Sequence, residues 1–323
     1  MISALSPRTH LPAWQVLGSG AVGGLWALRL AAAGHPVTLL RRHPATAVSL
    51  HLEDGNARFS HLFPVIALAD AEPSDWLLVC TKAGDTQAAL APLLPRLTAQ
   101  TPLVLLQNGM GADTALIAQR PDLIILPAIT TAGVYCRDAD TRVQAGHGRT
   151  LIGAPSPGHH APGHYSLGHQ PLAHQSLAEN VAAQWRAAGM TADAVTDINT
   201  QRWHKLAINC AINPLTARWR CRNGELLDNA DALALMQQLC AEVAMVMRAE
   251  GLAATGDALF AQARAVAAQT AANTSSMLAD VLAGRPTEIA FMNGYVLARA
   301  QHHGIACPVN AALLAEITAL TQP

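Results

Sequence analysis

The sequence predicts an α/β N-terminal domain with a parallel sheet, followed by an all-α C-terminal domain. Up to about residue 196, apolar runs of strand length alternate with helical segments and with turns that contain glycine. This alternation is typical of parallel α/β sheets. From Asp197 onward the strand signals disappear, and long segments rich in alanine and leucine take over. We therefore predict two domains, residues 1–196 and 197–323, with the boundary near residues 190–198.

Length, composition and charge restrict the class of protein. The chain has 323 residues, of which 51% are hydrophobic and 13% charged, so it can form two cores and is not disordered. Its net charge of −1 and the lack of a basic stripe argue against nucleic acid as a general partner. The 6 cysteines form no CxxC pair, which is typical of reduced thiols. No secretory signal is evident and polar residues interrupt the apolar stretches, so we expect a cytoplasmic protein that does not cross a membrane.

A glycine motif near the N-terminus predicts a cofactor site. The apolar run Val16-Leu17 leads into Gly18-x-Gly20-x-x-Gly23, and a helical pattern and a second apolar run at 37–40 follow. A strand, a glycine turn, a helix and a strand within about thirty residues are the context of a Rossmann-type dinucleotide site. The free N–H groups at the start of such a helix bind phosphates. A glycine turn with a purely structural role is the alternative. We predict cofactor contacts from all residues of the turn: Gly18, Ser19, Gly20, Ala21, Val22 and Gly23.

Two arginines at the end of the second predicted strand indicate which dinucleotide is bound. An NAD site normally has an acidic residue there, which holds the ribose hydroxyls. This chain has Arg41 and Arg42 instead. Guanidinium groups pair well with a 2′-phosphate, which a carboxylate would repel. The sequence therefore predicts a preference for NADP, with Arg42 the first candidate and Arg41 the second; an exposed basic loop without function is the alternative.

The rest of the N-terminal domain continues the alternation of strands and helices. Residues 53–56, with the sequence Glu-Asp-Gly-Asn, have the composition of a hairpin turn. The apolar and helical patterns predict, in chain order, a strand at 76–81, a helix at 86–94, strands at 103–106, 123–126 and 149–152, a helix at 179–188 and a strand at 190–195.

Polar residues follow two of these strands. Lys82 comes directly after the strand at 76–81, and Asn108 follows the strand at 103–106. Ligands of a doubly wound sheet bind at the carboxyl ends of its strands, so both residues lie where a functional site is expected. The alternatives are a solvated loop lysine and an ordinary Asn-Gly turn.

A segment rich in histidine, residues 155–176, raises the question of metal binding. The spacing of its histidines is irregular, and no acidic residue or cysteine is placed to complete a ligand set. We therefore predict a flexible surface loop and no metal site.

A helical stretch at the start of the C-terminal domain carries polar side chains on one face. Lys205, Asn209 and Asn213 are four residues apart, and the positions between them are nearly all apolar. Such groups are costly to bury unless they meet partners or a ligand. Desolvation also lowers the pKa of a lysine toward the range that suits a general acid. The alternative is that Lys205 reaches solvent while the asparagines bond to the backbone.

Two short motifs occur further along the C-terminal domain. The segment 274–278, Thr-Ser-Ser-Met-Leu, precedes a predicted helix end at Gly284. Pro286-Thr287-Glu288 is predicted to open the last long helix, which ends at Gly304. The helix dipole alone favours a carboxylate in a first turn, so Glu288 has a structural explanation beside a functional one.

Taken together, these motifs resemble the ketopantoate reductase (2-dehydropantoate 2-reductase) family. The resemblance extends from about residue 14 to about residue 315. Its most specific parts are the lysine–asparagine helix and the spacing from Ser-Ser-Met-Leu to Thr-Glu-Ile, because many reductases share the glycine motif. The resemblance implies a Rossmann-type domain and a helical domain with the site in the cleft between them. It also implies NADPH as donor, 2-dehydropantoate as acceptor and D-pantoate as product, in pantothenate and coenzyme A synthesis.

The resemblance also assigns roles to individual residues. It implies that Lys205 is the general acid and that Glu288 orients Lys205 and the substrate hydroxyl. The implied substrate contacts are Asn108, Asn209, Asn213, Asn223 and Ser276, of which Ser276 holds the carboxylate. The resemblance further implies that Asn108 lies at the nicotinamide as well as at the substrate and that Lys82 is a lysine on the cofactor side. Residues 130–133 follow the family only loosely, and the segment 155–176 has no counterpart.

Other functions remain compatible with the same motifs. A related NADPH-dependent reductase could act on another branched 2-oxo acid. A protein that only senses NADPH would keep the glycine motif but would have no use for Lys205 and Glu288. We expect a small-molecule 2-oxo acid as the partner, and a monomer or a homodimer, with neither nucleic acid nor membrane bound.

Overall fold

The computed structural model describes residues 10–43, 45–98, 100–155 and 171–321. It begins with strand β1 (Trp14–Leu17), helix α1 (Ala21–Ala32) and strand β2 (Val37–Arg41), which form the predicted strand–helix–strand unit. β1 pairs in parallel with β2 on one side and with β5 (Trp76–Val79) on the other. All side chains of β1 are buried, as expected for a central strand of a parallel sheet with both faces covered.

The described strands form one 11-stranded sheet in the order β11-β10-β7-β6-β5-β1-β2-β4-β3-β9-β8. The strands from β7 to β4 in this order run parallel to one another. β3 and β4 form an antiparallel hairpin that closes where Asp54 pairs with Ala57, as the turn at 53–56 predicts. The bounds not yet given are β3 (Ala47–Asp54), β4 (Ala57–Ala67), β6 (Leu103–Leu106), β7 (Ile125–Thr130), β8 (Gly133–Cys136), β9 (Thr141–Gly146), β10 (Thr150–Ile152) and β11 (Ala192–Ala194).

Helices cover both faces of the sheet. On one face, α1 and α4 (Pro171–Ala187) contribute Trp26 and Trp185, whose rings meet edge to face at 5.7 Å between centroids and belong to the same core as Trp14. On the other face, α2 (Thr86–Leu90) and α3 (Ala112–Gln119) contribute leucines to a second core. The parallel strands are thus buried on both sides.

The C-terminal part consists of helices packed around one long central helix. α5 (Ile198–Trp219) is buried over most of its length and contacts the helices that follow. These are α6 (Ala230–Ala249), α7 (Gly256–Gln269), α8 (Ser276–Leu282), α9 (Asn293–His302) and α10 (Pro308–Ala319). Within the described residues, α6 alone is long and apolar enough to cross a membrane. Its apolar residues Met236, Leu239 and Val243 are fully buried in the core, which accounts for that composition without a bilayer.

The boundaries of several elements differ from the sequence prediction. The helix predicted at 86–94 is shorter and continues beyond Leu90 as turns. The strand predicted at 123–126 is β7, which begins and ends later. The helix predicted at 179–188 begins at Pro171, so the prediction of a loop over 155–176 is wrong for its last residues, where His174 is buried in α4. His159, His160, His164 and His169 lie outside the described residues.

The prediction that Pro286-Thr287-Glu288 opens the last long helix is wrong. Residues Ile289–Phe291 form a single 3₁₀ turn, α9 begins only at Asn293, and α10 follows it. The reason is tertiary: the carbonyl of Pro286 and the carboxylate of Glu288 are bonded to the N-terminal part of the chain. These contacts hold the segment outside helical geometry.

Candidate active site

The glycine turn after β1 has the geometry that its sequence predicts. Gly18 has a φ of +93°, and a Cβ there would lie 2.6 Å from the backbone nitrogen of Thr81. A Cβ at Gly23 would lie 2.0 Å from the carbonyl oxygen of Gly18. At Gly20, by contrast, a Cβ would meet nothing within 4 Å. The outer glycines are therefore required by packing, whereas Gly20 leaves the backbone open to a ligand.

A cavity of about 590 Å³ lies beside this turn. Its walls include Gly18, Ser19 and Gly20 from the turn and both arginines at the end of β2. Arg41 donates a long hydrogen bond of 3.4 Å from Nη2 to Oγ of Ser19, and Arg42 is exposed. An open glycine turn at a helix N-terminus, with two guanidiniums lining the same cavity, fits the diphosphate and the 2′-phosphate of NADPH.

Lys82 lines the same cavity and connects it to the helical part of the chain. Its Nζ donates to the carbonyl oxygen of Pro286 at 2.8 Å and lies 2.7 Å from Oδ2 of Asp280. Asp280 also accepts a bond of 3.0 Å from Nε of Arg285. Nothing in the sequence singles out Asp280, because it is one acidic residue among many on the helices. The structure thus places Lys82 at the junction between the cavity and α8.

Lys205 projects from α5 toward the turn that follows β6. Its Nζ donates to Oδ1 of Asn108 at 3.0 Å. Burial of the ammonium lowers the pKa of Lys205 to about 8, and the nearby carboxylate of Glu288 opposes this shift. A lysine with such a pKa can hold and release a proton near neutral pH. Lys205 is half-buried, and its ammonium bridges α5 and the turn that follows β6.

Glu288 reaches the same place from the segment between α8 and α9. Its Oε1 accepts a hydrogen bond of 2.9 Å from the backbone nitrogen of Ala83. Burial raises the pKa of Glu288, while this hydrogen bond and the charges of Lys82 and Lys205 act in the opposite direction. Glu288 therefore lies within electrostatic range of both lysines, and its hydrogen bond from Ala83 attaches it to the N-terminal part of the chain.

Gly109 makes the approach of these segments possible. The backbone nitrogen of Met110 donates to the carbonyl oxygen of Phe291 at 2.9 Å. Gly109 has a φ of +78°, and a Cβ there would lie 2.4 Å from that same oxygen. The Asn108-Gly109 pair is therefore more than an ordinary turn, because a larger residue would separate Asn108 from the segment that carries Glu288.

The remaining predicted substrate residues lie further along the helical part. Asn209 is one turn after Lys205 on α5, and Asn213 is buried with Nδ2 3.8 Å from Sδ of Met292. Ser276 is exposed at the first position of α8, one turn before Asp280. Asn223 donates from Nδ2 to Oγ1 of Thr270 at 2.8 Å, and its buried Oδ1 has no partner within the described residues.

Two charged pairings near the site are not evident from the sequence. Arg202, one turn before Lys205, makes a buried two-pronged salt bridge with Asp113 of α3, at 2.6 and 2.9 Å. Arg142 of β9 donates to the carbonyl oxygens of Ser19 and Gly20. Only the fold brings these residues together, since the partners are 89 and more than 120 positions apart. Within the described residues, no three histidine, cysteine or acidic side chains are grouped to bind a metal.

A family model described as "Ketopantoate reductase PanE/ApbA" matches residues 14–157, and one described as "Ketopantoate reductase PanE/ApbA C terminal" matches residues 197–321. This chain belongs to the ketopantoate reductase family. The family is one of NADP-dependent oxidoreductases. The resemblance inferred from the motifs is confirmed.

Relatives of the ketopantoate reductase family match over nearly the whole chain. The 2-dehydropantoate 2-reductase of Vibrio cholerae serotype O1 is 37% identical over 310 residues, which cover 95% of this chain and 97% of the relative. A ketopantoate reductase crystal structure from Ralstonia eutropha JMP134 has a TM-score of 0.79 at 26% identity and covers 96% of this chain and 98% of that one. The fold is shared by a D-mandelate dehydrogenase bound to NADH and anilino(oxo)acetate. That structure has a TM-score of 0.81 at 18% identity, and the match covers 95% of this chain and 98% of that one. The predicted fold class, Rossmann-type then helical, is confirmed.

Proposed function

We propose that this protein reduces 2-dehydropantoate to D-pantoate with NADPH, in the cytoplasm, as a step toward pantothenate and coenzyme A. The observation that carries this proposal is the hydrogen bond from Lys205 to Asn108, with the carboxylate of Glu288 within electrostatic range of the same lysine and a cavity built on the glycine turn nearby. Membership of the ketopantoate reductase family supports the choice of substrate. The change from sheet to helices between β11 and α5 supports domains of residues 1–196 and 197–323 with the site between them.

The glycine turn and the basic residues around the cavity are proposed to hold NADPH. The N–H groups of residues 18–23 face the diphosphate, since an anion is favoured at the N-terminus of α1. Arg41 and Arg42 bind the 2′-phosphate, and Lys82 supplies a further cation to the cavity. When bound, NADPH supplies the hydride for the carbonyl carbon of the substrate.

Lys205 is proposed to donate a proton to the carbonyl oxygen of the substrate. Negative charge develops on that oxygen during reduction and must be neutralised by a nearby donor. Lys205 suits this role because burial lowers its pKa to about 8, close to the working pH. Asn108 holds the ammonium through the 3.0 Å hydrogen bond. The negative charge of Glu288 favours the ammonium form of Lys205 and so keeps the acid protonated.

The polar residues along α5 and α8 are proposed to bind the rest of the substrate. Asn209 and Asn213 continue the face of α5 that begins with Lys205. The buried Oδ1 of Asn223 is an acceptor that a substrate hydroxyl can satisfy, which would remove the cost of leaving it unpaired. Ser276, exposed at the first turn of α8, is available to the substrate carboxylate.

The test is NADPH oxidation measured with a panel of 2-oxo acids. We expect 2-dehydropantoate to give the highest kcat/KM, D-pantoate to be the product, and NADPH to be preferred to NADH. A ketone without the carboxylate should react far more slowly. A higher kcat/KM with another branched 2-oxo acid would replace the proposed substrate while leaving the reaction class intact. Tight NADPH binding without turnover of any 2-oxo acid would refute the enzymatic proposal. Sedimentation of the same preparation should show a monomer or a homodimer.

A further inference from the structure

Arg142 is a buried cation attached to the glycine turn, and none of the roles proposed above uses it. The residue is 3% exposed. Its Nη2 donates to the carbonyl oxygen of Ser19 at 2.7 Å, and its Nε donates to that of Gly20 at 3.1 Å. A third bond, 2.7 Å from Nη1, goes to the carbonyl oxygen of Ala139. Within the described residues no carboxylate pairs with this guanidinium, so backbone carbonyls alone satisfy its charge.

Gly24 provides the space in which this side chain lies. A Cβ at Gly24 would be 2.5 Å from Nε of Arg142 and 3.0 Å from its Cγ. Gly24 lies outside the Gly18-x-Gly20-x-x-Gly23 motif, and glycine inside a helix is unfavourable compared with alanine. The close approach of Arg142 accounts for the glycine. The space at Gly24 is therefore filled by the side chain of Arg142, although the two residues are 118 positions apart in the sequence.

The bonds of Arg142 act on the two peptide groups that matter for anion binding. The carbonyl of Ser19 shares its peptide group with the N–H of Gly20, and the carbonyl of Gly20 shares its own with the N–H of Ala21. The first N–H groups of a helix have no intrahelical acceptor and are free for a ligand. A carbonyl that accepts from a cation polarises its peptide group, which makes the attached N–H a stronger donor.

We propose that Arg142 is a positioning residue for the cofactor, which holds the glycine turn and strengthens its N–H donors toward the diphosphate of NADPH. The buried positive charge also adds to the helix dipole at the same end of α1. This inference rests on the proposed binding of NADPH. Arg142 lies on β9, which is between β3 and β8 in the outer part of the sheet. The inference gives this part of the sheet a role in the cofactor site, in addition to that of the glycine motif.

The test compares two ligands that differ in whether they reach the turn. Arg142→Met removes the charge and the donors but keeps most of the side-chain length. We expect its Kd for NADPH to rise about tenfold, the loss equivalent to one charge-assisted hydrogen bond. Adenosine 2′-monophosphate, which has no diphosphate and is held at Arg41 and Arg42, should bind within about twofold of the wild-type affinity, since its contacts are unchanged. Both affinities are measured by titration calorimetry on protein shown to be folded.

Matched variants separate this role from a general loss of structure. Arg120 also donates to backbone carbonyls, those of Leu94 and Leu97, and in addition to the carboxylate of Asp122, at a site away from the turn. Arg120→Met should lower Tm but leave the NADPH affinity unchanged. Gly24→Ala should weaken NADPH binding as Arg142→Met does, because it displaces the guanidinium. In an Arg142→Ala background the same Gly24→Ala change should have little further effect on the Kd for NADPH.

Several results would overturn the inference. The first is an NADPH affinity of Arg142→Met that equals the wild-type affinity. A parallel loss of affinity for NADPH and adenosine 2′-monophosphate is another, because it indicates that Arg142 only supports the domain. If Arg142→Met does not fold, the test rests on Gly24→Ala alone. An NADPH affinity of Gly24→Ala equal to that of the wild type then refutes the proposal. A wild-type protein that does not bind NADPH would instead refute the proposed function itself.

Discussion

Replacement of Lys205 is the most direct test of the proposed chemistry. Lys205→Met removes the ammonium and keeps a side chain of similar length on the half-buried face of α5. Since the only hydrogen bond of Nζ goes to Asn108 at 3.0 Å within the described residues, the change removes one donor and leaves the turn after β6 otherwise in place. We expect kcat to fall by about 10²–10⁴, the usual contribution of a positioned acid. The Kd for NADPH should stay near the wild-type value, because the residues proposed to hold the cofactor, the glycine turn and the arginines, are unchanged.

The pH dependence follows from the environment of the same lysine. Burial lowers the pKa of Lys205 from 10.5 to about 8, so the ammonium is present below pH 8 and is lost above it. Activity that needs the protonated form should therefore be level below pH 8 and fall about tenfold per unit above it. The carboxylate of Glu288 raises this pKa. Glu288→Gln removes that charge, so the descending limb should move to lower pH, while the amide oxygen can still accept from Ala83.

The composition of the chain makes the titration directly observable. Lys82 and Lys205 are the only lysines in the sequence. Selective ¹⁵N-lysine labelling therefore gives two side-chain signals, and the one missing in Lys205→Met belongs to Lys205. That signal should titrate with a midpoint near pH 8 in the wild type and lower in Glu288→Gln. A kcat for Lys205→Met close to that of the wild type, or the same descending limb in that variant, would refute the role of Lys205 as the acid.

Three further predictions concern the cofactor, the substrate and stability. Arg42→Asp should reverse or abolish the preference for NADPH over NADH, as measured by the ratio of kcat/KM values; an unchanged ratio contradicts the arginine assignment. Ser276→Ala should raise KM for 2-dehydropantoate more than it lowers kcat. The control Ser275→Ala, which removes the N-cap of α8, should mainly lower Tm. Equal kinetics for Ser276→Ala and the wild type would argue against the carboxylate contact. Arg202→Met removes the salt bridge to the buried carboxylate of Asp113 and should lower the free energy of unfolding by about 3–5 kcal/mol in urea titrations. A change below about 1 kcal/mol would show that the pair contributes little.

Much of the cofactor side could be predicted from the sequence, because its determinants are local. The glycine turn, α1 and β2 follow one another within a short stretch, and their geometry depends on backbone freedom and apolar periodicity. The Glu-Asp-Gly-Asn hairpin and the helical face that carries Lys205 are equally local. Such features are visible in a single sequence because the residues that form them are neighbours in the chain. Local sequence patterns predict the ends of helices and strands less accurately than their presence. They did not predict the start of α4 at Pro171.

The tertiary structure alone decided how the separate motifs meet. Local sequence around Pro286 and Glu288 favours a helix start, yet hydrogen bonds to Lys82 and Ala83, more than 200 positions earlier, hold the segment in another conformation. The same holds for the guanidinium of Arg142, which lies against the turn although no sequence pattern connects it with Gly24. Spacing in the sequence carries no information on such pairs, because their geometry depends on how the sheet and the helices pack. The sequence therefore determined which groups are available, and packing determined which of them lie in contact.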